Sequence, residues 1–259
     1  MMDAIERELD AAYTVHRLYD ASQQTRIQSE LGTIRAVVTG GGTGLSAEWV
    51  ARLPALGLIA INGVGTDKVD LAETARRGIH VSTTPGVLTG DVADMAMALL
   101  LAVLRRIVDG DRMVREGRWA SGGKLPLGTR LGGRKLGILG LGQIGRAIAR
   151  RAEAFDADIL YWNRSDIETP SNWTRAETPE RLAARSDILV AAVAATPQTE
   201  NIVSAAVLEA LGGVGIFVNV ARGNVVDEAA LLHALQNGGI AAAGLDVFRN
   251  EPTIDPAFA

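Results

Sequence analysis

No stretch constrains this chain more than Lys135 to Ala152. An apolar run, Lys135-Leu136-Gly137-Ile138-Leu139, ends in Gly140-x-Gly142-x-x-Gly145 and passes into Arg146-Ala147-Ile148-Ala149-Arg150-Arg151-Ala152, which reads as helix. Strand, glycines and helix in that order suit a dinucleotide pyrophosphate. Gly140 allows the tight turn, Gly142 lets the backbone approach the phosphates, and Gly145 lets helix and strand pack closely. The helix start, with Gln143 and Ile144, offers unpaired N–H groups to the anion. Glycine makes up 29 of 259 residues, so a glycine-rich turn that binds nothing is the bland alternative. The flanking strand and helix weigh against it.

The rhythm continues on both sides of that motif. Upstream, residues 3–12 and 24–31 read as helices, and Tyr13–Leu18 alternates weakly, as a strand would. Strands are expected at Ile34–Thr39, Leu58–Ile61 and Ile79–Ser82. Between them fall helices capped by Ser46 and running to Leu53, and over Leu71–Arg77 with Gly78 as the stop. This alternation predicts a small parallel sheet. A parallel sheet usually opens on a strand, and this chain opens on a helix, so a first strand is expected to be missing.

Thr84-Pro85-Gly86-Val87-Leu88-Thr89-Gly90 is rich in breakers and marks a boundary. Asp91–Gly110 reads as one long helix, apolar nearly all round in Met95–Leu104. It is either a core helix of one chain or a helix shared with a second subunit. Gly117–Leu131 reads as an irregular connection. After the glycine motif come strands at 159–162, 188–193, 216–220 and 241–247. They alternate with helices over 180–185, 204–211 and 228–236, with Thr178-Pro179 and Asp227 at two helix starts. This is a doubly wound nucleotide-binding pattern, whose ligand crevice lies at the carboxyl ends of the strands.

Composition narrows the class. With 47% hydrophobic residues and a net charge of -4, the chain reads as a soluble globular protein without a basic block for nucleic acid. It has no cysteine, and His16, His80 and His233 lack metal-ligand spacing, so no metal site is expected. The start Met1-Met2-Asp3-Ala4-Ile5-Glu6 has no secretory pattern, and Met95–Leu104 is too short to span a bilayer. A cytoplasmic location follows as the default.

The strand ends carry the chemistry. Asn163-Arg164-Ser165 follows the second strand of the nucleotide-binding half, with Asn163 eighteen residues past Gly145. An NAD-binding protein places an acid there for the ribose 2′-hydroxyl. Here the acid is absent and Arg164 could pair with a 2′-phosphate, which predicts NADP(H) in preference to NAD(H). The plain alternative is a solvated arginine. Arg222 follows another strand, and Glu251 lies just beyond the last. Singly, either could be an ordinary surface charge. Together at one crevice they suit an anionic substrate and a carboxylate that tunes an acid–base group.

These residues carry a resemblance. Gly63-Val64-Gly65-Thr66-Asp67, Thr84-Pro85-Gly86-Val87-Leu88-Thr89, the Gly140–Gly145 motif, Asn219-Val220-Ala221-Arg222-Gly223, Gly244-Leu245-Asp246-Val247-Phe248 and Asn250-Glu251-Pro252 run in order across nearly the whole chain. In these the chain resembles the D-isomer-specific 2-hydroxyacid dehydrogenases. Trp162-Asn163-Arg164-Ser165 and the Thr39–Gly44 loop make it look most like the glyoxylate/hydroxypyruvate reductases. The resemblance implies an α/β protein with a Rossmann doubly wound parallel-sheet domain over residues 89–259. A smaller, flavodoxin-like parallel-sheet substrate domain over 1–88 would lack its first strand and C-terminal helix. It implies that Arg222 grips the 2-oxo acid and polarises its keto oxygen, and that Val64 and Gly65 offer N–H groups to the substrate carboxylate. Val92 and Asp246 would lie at the nicotinamide end. Val193, Ala194 and Thr199 would line the adenosine and ribose side, with Val220, Ala221 and Arg222 among the coenzyme contacts. The helix after Asp91 would form a homodimer. Glu251 would hold a histidine that acts as the acid.

The sequence also departs from the family. That histidine belongs to a Pro-His-x-Gly-Ser-like loop, which would fall beyond Ala259, and none of His16, His80 or His233 matches it by motif. The chain is therefore expected to be trimmed at both ends, and a 259-residue polypeptide to bind coenzyme but reduce substrate poorly. Gly90 stands where a polar or acidic residue is expected. The alternatives are a non-catalytic dinucleotide-binding sensor or scaffold and a phosphoglycerate dehydrogenase-like enzyme. A formate or phosphite dehydrogenase fits less well.

Overall fold

A computed structural model describes residues 3–20, 22 and 24–258. Met1, Met2 and Ala259, which enter the readings of the two chain ends, lie outside the described residues. The chain divides into two compact units, Met1–Val87 and Leu88–Ala259.

The first unit holds α1 (Asp3–Ala12), α2 (Gln24–Glu30), β1 (Ala36–Gly40), α3 (Ala47–Arg52), β2 (Leu58–Asn62), α4 (Leu71–Arg76) and β3 (His80–Ser82). Its three strands pair in parallel in the order β1-β2-β3. Val37, Ile59, Ile61 and Ile79 meet Val50 and Leu53 of the α3 region in one core. Ser46 and Asp70 start α3 and α4 by accepting the N–H groups of Trp49 and Glu73, which satisfies donors a helix start leaves unpaired. The strand expected at Tyr13–Leu18 does not form: these residues pair with no strand, and Tyr13 is exposed. Alternation alone makes no strand without a neighbouring ladder, and the Tyr13 N–H goes instead to the Leu9 carbonyl oxygen of α1.

The second unit holds α5 (Thr89–Arg105), α6 (Ile107–Arg115), β4 (Lys135–Leu139), α7 (Gln143–Glu153), β5 (Asp158–Trp162), β6 (Thr174–Arg175), α8 (Pro179–Ala184), β7 (Ile188–Ala191), α9 (Ala205–Leu211), β8 (Ile216–Asn219), α10 (Glu228–Gln236) and β9 (Ala242–Leu245). Its sheet is parallel throughout, in the order β6-β5-β4-β7-β8-β9. Both faces are covered, so the strands read as unbroken apolar runs. Leu136 and Ile138 face a core with Ala93, Leu100 and Ile148, whereas Leu139, Leu189 and Phe217 face Leu182, Val207 and Leu231.

The helix expected over Asp91–Gly110 is two helices. Arg106 adopts a left-handed conformation, with φ 54°, and its N–H closes the last turn of α5. The chain turns there and α6 begins. The buried face of α5 is a stripe, Ala93, Ala96, Met97, Leu100 and Leu104, rather than the whole surface. Sequence reading also missed β6, two residues that pair with Leu160 and Tyr161. No helix among the described residues is long and apolar enough to cross a membrane.

Candidate active site

The second unit's chain runs from β4 outward through β5 to β6, then returns to place β7, β8 and β9 on the other side. The carboxyl ends of β4 and β7 therefore flank the switch point at which such sheets take ligands. Gly140 sits there with φ 95°, and a Cβ on it would lie 2.9 Å or less from three atoms of Val193, two of them backbone. Gly145 presses against the same turn: its Cβ would fall 2.1 Å from the Gly140 carbonyl oxygen. Gly142 differs, because a Cβ on it would meet nothing within 4 Å.

The helix start behind that space is open. Thr178, Ser204 and Asp227 each accept an N–H in the first turn of α8, α9 and α10. Gly142 begins α7 with no side-chain cap. Unpaired N–H groups, the positive end of the helix dipole and a bare backbone surface fit a pyrophosphate.

Asn163 is committed to this turn. Its Oδ1 accepts the Leu141 N–H at 3.3 Å, and its Nδ2 donates to the Ser165 carbonyl oxygen at 3.0 Å. The side chain thus ties the glycine turn to the loop that follows β5. Arg164 and Ser165 are exposed on that loop, and Arg164 has no carboxylate partner among the described residues. Across the switch point, the Thr199 hydroxyl donates to the Ala194 carbonyl oxygen at 2.7 Å and accepts the Thr196 N–H at 2.8 Å. The loop after β7 is closed by its own hydrogen bonds.

At the end of β8, Asn219 is fully buried. Its Oδ1 accepts the Ala221 N–H and its Nδ2 donates to the Arg222 carbonyl oxygen, both at 3.0 Å. Those bonds fix the turn that carries Arg222, whose side chain is half-buried and whose Nη1 donates to the Ala221 carbonyl oxygen at 2.8 Å. Sequence reading missed Asn219 as a positioning residue. The signal was available, since an amide that ends a buried apolar strand must find partners.

The Arg222 turn and the Glu251 loop abut: a Cβ on Gly223 would lie 2.0 Å from the Phe248 carbonyl carbon. Glu251 Oε1 accepts the Phe248 N–H at 2.7 Å. Burial, and then the Glu251 charge, push the Asp246 carboxyl above the usual carboxylate range. Arg249 holds this loop to its neighbours through Glu200 at 3.6 Å, through Asn201, and through its own N–H to Glu228. Val220 and Ala221 are buried under the turn, and Val92 is half-buried in the first turn of α5. His233 lies out on α10, with Nδ1 3.2 Å from the Asn237 amide nitrogen.

In the first unit, Gly63 is held to Thr84. Its N–H donates to the Thr84 hydroxyl at 3.0 Å and its carbonyl accepts the Thr84 N–H at 2.9 Å. Val64 is exposed beside it, and Gly65 half-buried. Among the described residues no cluster of His, Asp and Glu could hold a metal ion.

The chain is similar to known proteins over nearly its whole length. Residues 97–258 match the family described as D-isomer specific 2-hydroxyacid dehydrogenase, NAD binding domain. The chain is 45% identical to a 2-ketogluconate reductase of Gluconobacter oxydans, over 100% of this chain and 82% of that protein. It is 41% identical to a glyoxylate/hydroxypyruvate reductase of Arabidopsis thaliana, over 98% of this chain and 81% of that one. The crystal structure of an NADPH-dependent glyoxylate/hydroxypyruvate reductase from Sinorhizobium meliloti, in complex with NADP and malonate, superposes with a TM-score of 0.89. It is 40% identical and matches 99% of this chain and 80% of that one. The match to an NAD binding domain supports a nicotinamide dinucleotide as the cofactor. The protein is an oxidoreductase and belongs to the D-isomer-specific 2-hydroxyacid dehydrogenase family.

Proposed function

We propose that the protein reduces a small 2-oxo acid, glyoxylate or hydroxypyruvate, to its D-2-hydroxy acid, with NADPH preferred over NADH, in the cytoplasm. The observation that carries the coenzyme preference is the loop after β5. Asn163, where an acid would select against a 2′-phosphate, spends its side chain on Leu141 and Ser165. Arg164, next in the chain, is exposed without a carboxylate partner among the described residues. A guanidinium so placed is suited to a phosphate by charge and by its forked donors. The solved Sinorhizobium reductase is described as NADPH-dependent, which supports the same reading.

The bound nicotinamide would supply the hydride. Hydride arrival at C2 leaves negative charge on the former keto oxygen, and Arg222, on its braced turn, would stabilise it. Val64 and Gly65 would receive the substrate carboxylate through backbone N–H groups. Glu251 would hold the histidine that the resemblance implies as the acid, and raise its pKa so that it can protonate the new alkoxide. Val92 and Asp246 would border the nicotinamide, and Val193, Ala194 and Thr199 the adenosine and ribose.

The test is a titration of the protein with NADPH and NADH, followed by nicotinamide fluorescence. NADPH is expected to bind more tightly. Losing a charged hydrogen-bond partner of the phosphate costs about 1.5–3 kcal/mol, so Arg164→Ala should weaken NADPH about ten- to one-hundred-fold and leave NADH nearly unchanged. Equal affinities in the unaltered protein would end the reading.

We also propose a homodimer built on the segment that begins with α5. Val108, Val114, Trp119 and Leu127 are 62%, 60%, 68% and 94% exposed, a density of large apolar groups that suits a subunit interface. Leu99, Val103 and Ala243 line a groove beside Val108 and Leu127. Sedimentation velocity is expected to show a dimer at micromolar concentration, and Leu127→Asp to shift it toward monomer. A monomer at all concentrations would refute it.

A further inference from the structure

The loop after β5 contains an acid as well as a base. Asp166 lies two residues beyond Arg164, and its carboxylate is almost fully exposed. An unbalanced carboxylate on this short loop would repel the very phosphate that Arg164 attracts. The structure answers that charge from β6. Arg175 lies level with Tyr161 in the β5–β6 ladder. Its Nη1 pairs with the Asp166 carboxylate, and its Nη2 donates to the Asn163 carbonyl oxygen at 3.2 Å. A third arginine, Arg146 of α7, donates to the Glu168 carbonyl oxygen at 2.7 Å and holds the far side of the same loop. Among these three arginines, Arg146 and Arg175 are spent on the loop, and Arg164 faces outward.

We propose that Arg175 is a specificity-determining positioning residue: it masks Asp166 and so lets the Arg164 loop accept a 2′-phosphorylated coenzyme. It acts through Asp166 and the loop, without touching the coenzyme. The inference rests on the reading that Arg164 meets a 2′-phosphate. It explains why a two-residue strand is kept at the sheet edge, because β6 delivers the guanidinium to the carboxyl end of β5.

The experiment compares binding of NADPH, NADH and the fragment 2′,5′-ADP to the unaltered protein, Arg175→Gln, and Arg175→Gln with Asp166→Asn. Coulomb attraction between partly exposed charges a few ångströms apart is of order 1 kcal/mol, so Arg175→Gln should weaken NADPH and 2′,5′-ADP by about five- to ten-fold. NADH should change by less than about two-fold, because it carries no phosphate there to feel the carboxylate. The loss should shrink in high salt, which a packing defect would not do. Removing the carboxylate as well should return NADPH to within about two-fold of the unaltered protein. Equal weakening of both coenzymes would reduce Arg175 to a fold contribution and overturn the proposal, as would a double variant no tighter than the single one. If the unaltered protein binds NADPH and NADH equally, and Arg164→Ala changes neither, the phosphate reading fails first and takes this inference with it.

Discussion

Gly142→Ala and Gly145→Ala are expected to weaken coenzyme binding by different routes, and the difference locates the pyrophosphate. At Gly145 a Cβ would stand 2.1 Å from the Gly140 carbonyl oxygen, a backbone atom with no freedom to swing aside. α7 must move off the turn, so the variant should melt at lower temperature and bind NADPH at least about a hundred-fold more weakly. At Gly142 the same methyl meets no atom within 4 Å, and the backbone φ of -75° admits alanine without strain. That variant should melt close to the unaltered protein. Its methyl nevertheless fills the space between the α7 N–H groups and an incoming phosphate, so binding should fall at least about ten-fold. The checks are thermal melts with and without NADPH, and fluorescence titration. If Gly142→Ala binds as tightly as the unaltered protein, the diphosphate does not cross the turn.

The contrast between those two glycines was only half legible in the sequence. The motif showed the order strand, turn, helix, because its constraint is local. For the same reason Ser46, Thr178 and Asp227 could be read as helix caps: each bonds an N–H three residues ahead. What failed was non-local. Tyr13–Leu18 has a strand's alternation, but a strand exists only with a neighbour. Arg106 breaks the long helix in a left-handed conformation that glycine usually takes, so nothing in the local sequence announced it. Thr174–Arg175 is too short to carry a period. The site divides in the same way. Which residues follow each strand could be read off the chain. What Asn163 and Arg175 hold could not, since each bonds a backbone group distant in the chain that only the fold brings within reach.

Arg222→Gln is expected to lower kcat/KM for reduction of the 2-oxo acid by about 10²–10³-fold, the usual cost of losing a donor aimed at a developing oxyanion. NADPH affinity should stay within about two-fold, because charge appears on the substrate oxygen only as hydride is transferred. The fall should sit largely in kcat if the guanidinium serves the transition state, and in KM if it mainly holds the substrate carboxylate. Glutamine keeps a donor and much of the stem, so the Asn219 bonds to Ala221 N–H and to the residue-222 carbonyl, which involve only backbone on that turn, should survive. The melting temperature should therefore hardly move, which separates lost chemistry from a lost turn. Asn219→Ala makes the converse change: Arg222 remains, but the buried Ala221 N–H loses its partner, at about 1–3 kcal/mol, and the part-buried Arg222 carbonyl keeps the Val225 N–H. It should lower both the melting temperature and kcat/KM, because a guanidinium on a loosened turn no longer meets the oxygen in one geometry. Full activity in Arg222→Gln would place the oxyanion elsewhere and remove Arg222 from the chemistry.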